Sequence, residues 1–262
     1  MDLSDTRRGT TALVTGGAGG IGAAVVRKLA AQGMTVAATD TDAEALTPLI
    51  KEVRENGGTA HAYTVDVSDS AAVNATVDQV ERATGPIEHL VNVAGVLRTG
   101  SALTLSDEDW AATFAVNTDG VFHVSRAVGR RMAGRRRGAI VTVTSNAASV
   151  PRTQMAAYGA SKAAATMFTK TLGLELAQYG VRCNIVAPGS TNTRMLRSMW
   201  ADAHGPRATL DGSLSSYRVG IPLRRLAQPE DVAEAVAFLL SGAAAHITMH
   251  DLYVDGGAAL GR

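Results

Sequence analysis

Tyr158 and Lys162 are the residues whose types and spacing most directly suggest chemistry. They lie four residues apart in AAYGASKAAATMF, where a helix would place both side chains on one face. A phenol acts as a base near neutral pH only when a positive charge stabilises its anion, and Lys162 can lower the pKa of Tyr158 in this way. Ser145 ends an upstream apolar run, where its hydroxyl could hold a substrate oxygen. The pattern predicts a proton-transfer site, although such a pair also arises by chance.

The elements that must position these residues alternate along the chain. Apolar runs rich in Val, Ile and Ala predict buried strands, with helical patterns between them. The predicted strands cover 11–15, 34–40, 59–67, 87–95, 139–145, 181–189 and 250–257, and the predicted helices cover 21–33, 43–58, 71–85, 107–133, 156–179 and 229–241. This order predicts one α/β domain over 1–262, a doubly wound parallel sheet of about seven strands with helices on both faces. The ligand crevice would lie at the carboxyl ends of the strands.

The segment 190–220 is polar and irregular in pattern, with Gly205, Pro206 and Gly212. It is too long for a simple connection in a compact domain. We therefore expect it to form a substrate lid.

Charge and composition argue against several classes of function. The net charge of +1 gives no overall attraction to nucleic acid. The basic cluster of Arg130, Arg131 and 135–137 follows a predicted helix, where cations suit the helix C-terminus better than they indicate a phosphate site. The single cysteine, Cys183, lies in an apolar run and is expected to be a buried thiol, and no metal site is expected.

The hydropathy pattern predicts a cytoplasmic protein without a membrane partner. No run of about 18 or more apolar residues suggests a membrane span. The N-terminal segment MDLSDTRRGT lacks the apolar core of a signal peptide.

A glycine-rich turn between the first strand and helix predicts a nucleotide site. Glycines let the backbone approach a pyrophosphate, and the helix N-terminus supplies N–H donors. The candidate residues of this turn are Gly16, Gly19, Gly20, Ile21 and Gly22. A glycine-rich turn without a ligand is the alternative interpretation.

Asp40 ends the second predicted strand, about 20 residues beyond the glycines, where a carboxylate would bind the adenosine ribose and repel a 2′-phosphate. The next cation along the chain is Lys51, so this pattern favours NAD over NADP. Asp40 could instead cap the following helix, a role for which Asp42 competes. Asp66 ends the third strand and could meet the adenine or cap a helix, and Asn92, Ala94 and Gly95 end the fourth, next to the cofactor.

Taken together, these residues resemble the short-chain dehydrogenases/reductases over nearly the full chain. The matching elements are TGGAGGIG at 15–22, Asp66 and Val67, NVAG at 92–95, Asn117, Ser145, Tyr158 and Lys162, and Pro188 and Gly189. Many members carry a second asparagine at the place of Val93. The resemblance implies a Rossmann-type fold and a homotetramer with the two long helices and the last strand at its interfaces.

The resemblance also implies roles at the matching positions. Tyr158 would be the general base, Lys162 would lower its pKa and hold the nicotinamide ribose, and Ser145 would orient the substrate oxygen. Asn117 resembles the residue that positions a water for a proton relay to Lys162, although it could be a helix kink without a catalytic part. The remaining implied cofactor contacts are Val67, Pro188, Gly189, Thr191 and Thr193.

Further segments are similar to a subgroup of this family that oxidises 2,3-dihydro-2,3-dihydroxybenzoate to an aromatic acid for siderophores. They are VLRTG at 96–100, DWAATFAVN at 109–117, GAIVTVTSNAA at 138–148, PRTQMAAYGASKAA at 151–164, GLELAQYGVRCNIVAPGSTNTRMLRSMW at 173–200 and HITMHDLYVDGG at 246–257. A related activity acts on 2,3-dihydro-3-hydroxyanthranilate, which carries an amino group instead, and both remain open. The implied partner is a small cyclic hydroxy acid.

A benzoate-type substrate needs a cation for its carboxylate, and the planar fork of arginine matches that group. Arg152 is the first candidate, because it lies between Ser145 and Tyr158 in the chain. Arg98 is the second, and Arg194 and Arg197 lie in the predicted lid. The apolar candidates for a wall over the ring are Met155, Met195, Met199 and Trp200.

Two rival functions remain at this stage. One is another enzyme of the same fold, such as a 3-oxoacyl-thioester reductase or a sugar or steroid alcohol dehydrogenase, against which Asp40 argues by disfavouring NADPH. The other is a catalytically silent NAD-sensing protein, against which the complete set of Asn117, Ser145, Tyr158 and Lys162 argues.

Overall fold

Strands and helices alternate through the residues that the computed structural model describes, 8–200 and 202–261. The strands are β1 Thr11–Thr15, β2 Thr35–Asp40, β3 Thr59–Thr64, β4 Ile87–Asn92, β5 Gly138–Val143, β6 Val181–Pro188 and β7 Asp251–Val254. The helices are α1 Gly20–Ala31, α2 Ala43–Glu55, α3 Ser70–Thr84, α4 Asp107–Phe114, α5 Gly120–Arg135, α6 Ala156–Ala177, α7 Arg194–Arg197, α8 Gly205–Asp211 and α9 Pro229–Leu240.

The strands form one parallel sheet in the order β3-β2-β1-β4-β5-β6-β7. The chain moves outward from β1 to β3 and then crosses back to place β4 on the other side of β1. This reversal opens a crevice at the carboxyl ends of β1 and β4, where ligands bind in doubly wound sheets. The predicted fold class is confirmed.

Helices cover both faces of the sheet with separate apolar cores. On one face, Val25 of α1 and Val236 of α9 are fully buried against the strands. On the other face, Val77 of α3 and Val128 of α5 are buried to the same degree. Because the central strands β1, β4, β5 and β6 are covered on both sides, they are buried almost without alternation, which explains the continuous apolar runs in the sequence.

Four strands end at least two residues earlier than the sequence pattern predicts, namely the third, the fourth, the fifth and the seventh. The third was expected to reach 67, but its neighbour β2 ends at Asp40, which pairs with Thr64, so no partner remains beyond that point. The fourth was expected to reach 95 and ends at Asn92. In both cases the residues beyond the strand become loops at the carboxyl edge of the sheet, which is where the predicted site residues lie.

Ion pairs account for most of the basic cluster. Arg131 and Arg135 of α5 pair with Glu81 of α3, at 3.5 Å and 2.9 Å. Arg137 pairs with Glu88 at the start of β4. These arginines therefore tie neighbouring elements together. Cys183 is fully buried, and burial raises the pKa of its thiol to about 12.

Among the described residues, no helix is both long enough and apolar enough to cross a membrane. Residues 1–7, which make up most of the segment considered for a signal peptide, lie outside the described residues.

Candidate active site

The loop between β1 and α1 forms a cradle that only glycine can line. Gly16 has a φ of +66°, and a Cβ there would lie 2.7 Å from the backbone of Ala94. A Cβ on Gly22 would lie 1.9 Å from the carbonyl oxygen of Gly16. Helix α1 starts at exposed Gly20 without a side-chain cap, which leaves its first N–H groups for a ligand. This cradle fits the pyrophosphate of a dinucleotide.

The carboxylate of Asp40 lies against the glycine loop. Its Oδ2 accepts a hydrogen bond from the N–H of Ala18 at 3.0 Å, and its Oδ1 accepts one from the N–H of Asp42 at 3.2 Å. Asp42, rather than Asp40, caps α2 by accepting from the N–H of Ala45. The capping alternative for Asp40 is therefore wrong, and its carboxylate stands beside the cradle, where a ribose would lie.

Asp66 follows β3 and likewise does not cap a helix. Its Oδ1 accepts hydrogen bonds from the N–H of Ser68 at 2.8 Å and from the Ser68 hydroxyl at 2.7 Å. Asp69 caps α3 instead, by accepting from the N–H groups of Ala71 and Ala72. Asp66 is exposed at the carboxyl edge of the sheet, next to buried Val67. This position suits the predicted adenine contact.

The backbone after β4 is fixed against the end of β1. The hydroxyl oxygen of Thr15 accepts hydrogen bonds from the N–H groups of Val93 at 3.1 Å and Ala94 at 3.2 Å. The buried amide of Asn92 donates to the hydroxyl of Ser125 at 2.9 Å. Val93 takes part through its backbone only, so the departure from asparagine at this position leaves the junction intact.

A π-helical turn at Ala115–Asp119 places Asn117 in the interior and divides the predicted helix 107–133 into α4 and α5. The side-chain amide of Asn117 makes two hydrogen bonds with the backbone of Val96. Its Oδ1 accepts from the Val96 N–H at 2.8 Å, and its Nδ2 donates to the Val96 carbonyl at 3.0 Å. A Cβ on Gly95 would lie 3.2 Å from Asn117 Oδ1 and 3.1 Å from Lys162 Nζ. The helix irregularity considered for Asn117 is therefore present, and its side chain lies near Lys162, while its role in a proton relay stays a prediction.

Ser145, Tyr158 and Lys162 meet near the carboxyl end of β5. The Ser145 hydroxyl shares a hydrogen bond with the Tyr158 phenol and accepts another from the N–H of Ala147 at 3.1 Å. Lys162 Nζ donates to the carbonyl of Val143 at 3.3 Å and lies 5.9 Å from the centre of the Tyr158 ring. All three functional side chains are buried. The predicted helical spacing in α6 therefore brings the phenol and the ammonium into one buried site.

Burial governs the titration of this site. It raises the pKa of Tyr158 above its ordinary value, while the hydrogen bond with Ser145 and the positive charge of Arg152 act in the lowering direction. Burial also lowers the pKa of Lys162 to about 8. The sequence assigned the lowering of the tyrosine pKa to Lys162. In the structure the charge of Arg152 also acts in this direction, and the Lys162 ammonium donates to the Val143 carbonyl, so the role of Lys162 stays a prediction.

A cavity beside Tyr158 brings many of the predicted site residues together. Those that line it are Ile21, Ser145, Arg152, Met155, Tyr158, Pro188, Gly189, Thr191, Thr193, Met195 and Met199. The list contains residues expected for the cofactor and residues expected for the substrate. One cavity can therefore hold the two reactants next to the phenol.

Arg152 reaches this cavity from the loop between Ser145 and Tyr158. Its Nη2 donates to Asn146 Oδ1 at 2.8 Å, while its Nε is buried without a hydrogen-bond partner. Burial lowers the pKa of the guanidinium, and the neighbouring charge of Arg218 lowers it further. A half-buried guanidinium whose buried Nε–H has no partner is suited to bind a carboxylate.

Asn146 and Asp255 support Arg152, and sequence reasoning missed both. Asn146 Nδ2 donates to Asp255 Oδ2 at 3.1 Å, which orients the amide so that its oxygen faces Arg152. Asp255 is buried just after β7 and also accepts from the N–H groups of Gly257 and Ala259. Asn146 could have been suspected because it follows Ser145. Asp255 is 109 residues away from Asn146, and no local pattern connects them.

Arg218 also lines the cavity and was missed. It belongs to the predicted lid, so the argument that selected Arg194 and Arg197 could have included it. Those two lid arginines are exposed and do not line the cavity, and Arg197 donates to Asn192 Oδ1 at 2.9 Å.

Two other predicted substrate contacts lie elsewhere. Arg98 is exposed and pairs with Asp109 at 3.7 Å, and it does not line the cavity. The ring of Trp200 packs at Gly205 and its Nε1 donates to the Thr209 hydroxyl at 3.1 Å. An exposed ion pair and a packing contact thus account for these two residues.

The segment 190–220 is more regular than predicted, because it contains α7 and α8. Pro206 was interpreted as a sign of irregular structure, yet it lies in the first turn of α8, where proline is tolerated because its missing N–H would have no partner there. Thr193 caps α7, and its Cγ2 would lie 2.9 Å from a Cβ on Gly20. The segment therefore begins directly over the N-terminus of α1.

Comparisons with known proteins agree with this geometry. A model of the short chain dehydrogenase family matches residues 10–204. The 2,3-dihydro-2,3-dihydroxybenzoate dehydrogenase of Bacillus subtilis (strain 168) is 57% identical over 253 residues, which cover 97% of each chain. The vibriobactin-specific 2,3-dihydro-2,3-dihydroxybenzoate dehydrogenase of Vibrio cholerae serotype O1 is 40% identical over 253 residues, or 95% of each chain.

A solved structure extends the similarity to the whole fold. The gluconate 5-dehydrogenase from Burkholderia cenocepacia J2315, in complex with NADP and tartrate, matches with a TM-score of 0.91 and 33% identity. The match covers 100% of both chains. The sheet and the carboxyl-edge crevice are therefore shared with a dinucleotide-binding enzyme.

Proposed function

Because the chain belongs to the short-chain dehydrogenase family and is an NAD(P)-dependent oxidoreductase, we propose that it oxidises 2,3-dihydro-2,3-dihydroxybenzoate to 2,3-dihydroxybenzoate, for siderophore or related metabolism. The observation that carries the proposal is the half-buried Arg152, which shares one cavity with Tyr158 in a chain so similar to enzymes of this name. The guanidinium provides a partner for the carboxylate, and the phenol provides a base for the ring hydroxyl.

Ser145 and Tyr158 bind the hydroxyl of the ring carbon that is oxidised, and the phenol oxygen of Tyr158 accepts its proton. The bound nicotinamide supplies the acceptor for the hydride that leaves this carbon. Lys162 and Asn117, whose side chains both lie near Gly95, would support the charge on Tyr158 and pass its proton onward. The ring ketone then tautomerises to an aromatic ring, which makes oxidation strongly favourable.

The preference for NAD is part of this proposal. The Asp40 carboxylate lies beside the glycine loop, where it accepts a hydrogen bond from the N–H of Ala18. Among the residues described, no cation pairs with this carboxylate. A 2′-phosphate would meet this negative charge. A steady-state comparison should give a kcat/KM for NAD⁺ at least about tenfold above that for NADP⁺, and the reverse preference would refute this part.

Arg152 is proposed to bind the substrate carboxylate, because its buried Nε has no partner and its Nη2 is already held by Asn146. Met155, Met195 and Met199 line the same cavity and could pack on the faces of the flat ring.

The decisive assay follows NADH absorbance with 2,3-dihydro-2,3-dihydroxybenzoate and with 2,3-dihydro-3-hydroxyanthranilate, each with excess NAD⁺. Rapid reduction with the first supports the proposal, and the ratio of the two kcat/KM values decides between the hydroxy and the amino substrate. Absence of reduction with either, from protein that binds NADH, would refute the substrate assignment.

Tyr158→Phe is the matched variant, since it removes the phenol oxygen and little else. It should lose nearly all turnover and still bind NADH, as measured by fluorescence. Retained turnover would exclude Tyr158 as the base.

A further inference from the structure

Arg152 is not the only cation at the candidate substrate site. Arg152 and Arg218 both line the cavity that contains Tyr158, and both also line the smaller cavity next to it. Among the described residues that line the Tyr158 cavity, these two alone carry a full charge at neutral pH, and no carboxylate lines it. The cavity wall therefore has an excess of positive charge that attracts an anion.

Arg218 has no acidic partner in the described part of the chain, and unlike Arg194 and Arg197, which also have none, it lines the cavity. Arg207 and Arg224 both pair with Asp211, at 3.3 Å and 2.6 Å. Arg225 pairs with Asp231 at 2.9 Å. Arg218 is only partly exposed, and its positive charge lowers the pKa of Arg152.

The turn that carries Arg218 is held by backbone hydrogen bonds and packs closely against its neighbours. Ser213 and Arg218 exchange two backbone hydrogen bonds, each 2.9 Å long. Gly212 has a φ of +79°, and a Cβ there would lie 2.3 Å from the Arg218 carbonyl oxygen. Gly220 has a φ of +82°, and its Cβ would lie 2.4 Å from the carbonyl oxygen of Leu210 in α8. Two glycines thus let this turn pack against α8 and set the direction from which Arg218 enters the cavity.

We propose that Arg218 is a second carboxylate-binding residue, which acts with Arg152 and makes the site selective for anionic ring alcohols over neutral ones. The inference rests on the proposed function, because it assigns a further contact in the same substrate site. A carboxylate between the two guanidinium groups accepts charge-assisted hydrogen bonds from both and removes their mutual repulsion. A neutral ring alcohol leaves that repulsion in place.

The test compares Arg218→Met and Arg218→Lys with Arg207→Met, a control that removes an exposed lid arginine outside the cavity. Each protein is assayed with 2,3-dihydro-2,3-dihydroxybenzoate and with the carboxylate-free cyclohexa-3,5-diene-1,2-diol. Arg218→Met should raise KM for the acid about tenfold or more and change kcat less than about threefold. The diol kinetics should stay within about twofold, and Arg218→Lys should recover part of the loss. An unchanged KM for the acid, or equal losses with both substrates, would overturn the inference.

A binding measurement keeps this test separate from the proposed reaction. If the wild type does not oxidise the dihydro acid, the proposed function fails, and calorimetry with 2,3-dihydroxybenzoate and catechol on the NADH-loaded enzyme still examines Arg218. The wild type should bind the acid more tightly than catechol, and Arg218→Met should remove most of that preference. No preference in the wild type, or an undiminished one in the variant, would refute the role of Arg218. Thermal unfolding verifies that each variant is folded.

Discussion

At the residue scale, Arg152 links substrate binding to proton transfer. Its guanidinium is held by Asn146, which is oriented by Asp255, and its charge is one of the two influences that oppose the effect of burial on Tyr158. A cation at this place therefore favours the tyrosinate as well as a bound carboxylate. One side chain can in this way serve both the affinity and the base strength of the site.

This link predicts a pH effect of Arg152→Gln. Burial already raises the pKa of Tyr158, and removing the positive charge raises it further, so the base form appears at higher pH. The rising limb of kcat/KM against pH, which reports the free enzyme, should move to higher pH, and the deficit relative to wild type should shrink as the pH increases. Arg98→Met, which removes an exposed cation paired with Asp109, is the control and should leave the limb in place. A limb at the wild-type position in Arg152→Gln would disprove the electrostatic link.

Lys162 illustrates the cost of a buried functional charge. Its pKa falls from an ordinary 10.5 to about 8 because of burial, so the folded state disfavours the ammonium. Below pH 8 the lysine is charged in both the folded and the unfolded state, so the full cost of burying the ammonium lowers the free energy of unfolding. As the pH rises toward 10.5, the folded protein holds the neutral form while the unfolded chain is still charged, and the penalty disappears.

Lys162→Met should therefore raise the free energy of unfolding by about 2 kcal/mol at pH 7 and abolish turnover. The gain should diminish between pH 8 and pH 10.5, because wild-type stability recovers over that interval. Urea unfolding at several pH values measures both effects. A variant less stable than the wild type at pH 7 would mean that the bond to Val143 outweighs the cost of burial.

At the scale of elements, most site residues lie where a regular element ends or is interrupted, whereas Tyr158 and Lys162 lie within α6. The glycine loop separates β1 from α1, and the π-helical turn separates α4 from α5. Ser145 follows β5 and Arg152 precedes α6. Regular elements use their own backbone groups internally, so only their ends and interruptions offer free backbone N–H groups to a ligand.

The glycine loop predicts a contrast between two substitutions. Gly22→Ala would place a Cβ 1.9 Å from the Gly16 carbonyl oxygen, so it should abolish NADH binding and lower the thermal midpoint. Gly134→Ala lies within α5 with no atom within 4 Å of the new Cβ, and it should stabilise the protein by about 0.5–1 kcal/mol. Fluorescence titration with NADH and thermal unfolding measure the pair. Normal NADH binding by Gly22→Ala would show that the cradle is not the nucleotide site.

At the scale of the whole molecule, one face of α6 carries large apolar side chains that are not buried. Met167 and Leu174 are 64% and 68% exposed, and Phe122 of the neighbouring α5 is 37% exposed. Positions 167 and 174 are seven residues apart and therefore lie on the same side of the helix. Such a surface favours association, in accord with the homotetramer that the family resemblance implies.

The expected assembly can be disrupted at this face. The double substitution Met167→Glu and Leu174→Glu should convert a four-chain species into smaller ones, because carboxylates are costly to bury in an apolar interface. Light scattering after size-exclusion chromatography gives the mass. Leu103→Glu is the control, since Leu103 is 94% exposed in a loop and should leave the mass unchanged. A wild type with the mass of a single chain would contradict the tetramer, and an unaffected variant would place the interface elsewhere.

The sequence by itself determined the parallel sheet, the glycine loop and the relation between Tyr158 and Lys162. These features follow from local rules: buried strands need apolar runs, tight turns need glycine, and a helix brings residues four apart onto one face. The same rules also made the acidic residues at the strand ends candidates for the cofactor site.

Only the tertiary structure decided which cations face Tyr158. Chain position ranked Arg152 ahead of Arg98 and Arg194, but it missed Arg218, because the direction of each side chain depends on distant packing. The partnership of Asn146 with Asp255 spans 109 residues, and the entry of Arg218 depends on contacts between a turn and α8. Local patterns specify elements, whereas the charges that surround a reacting group are brought together by segments far apart in the chain.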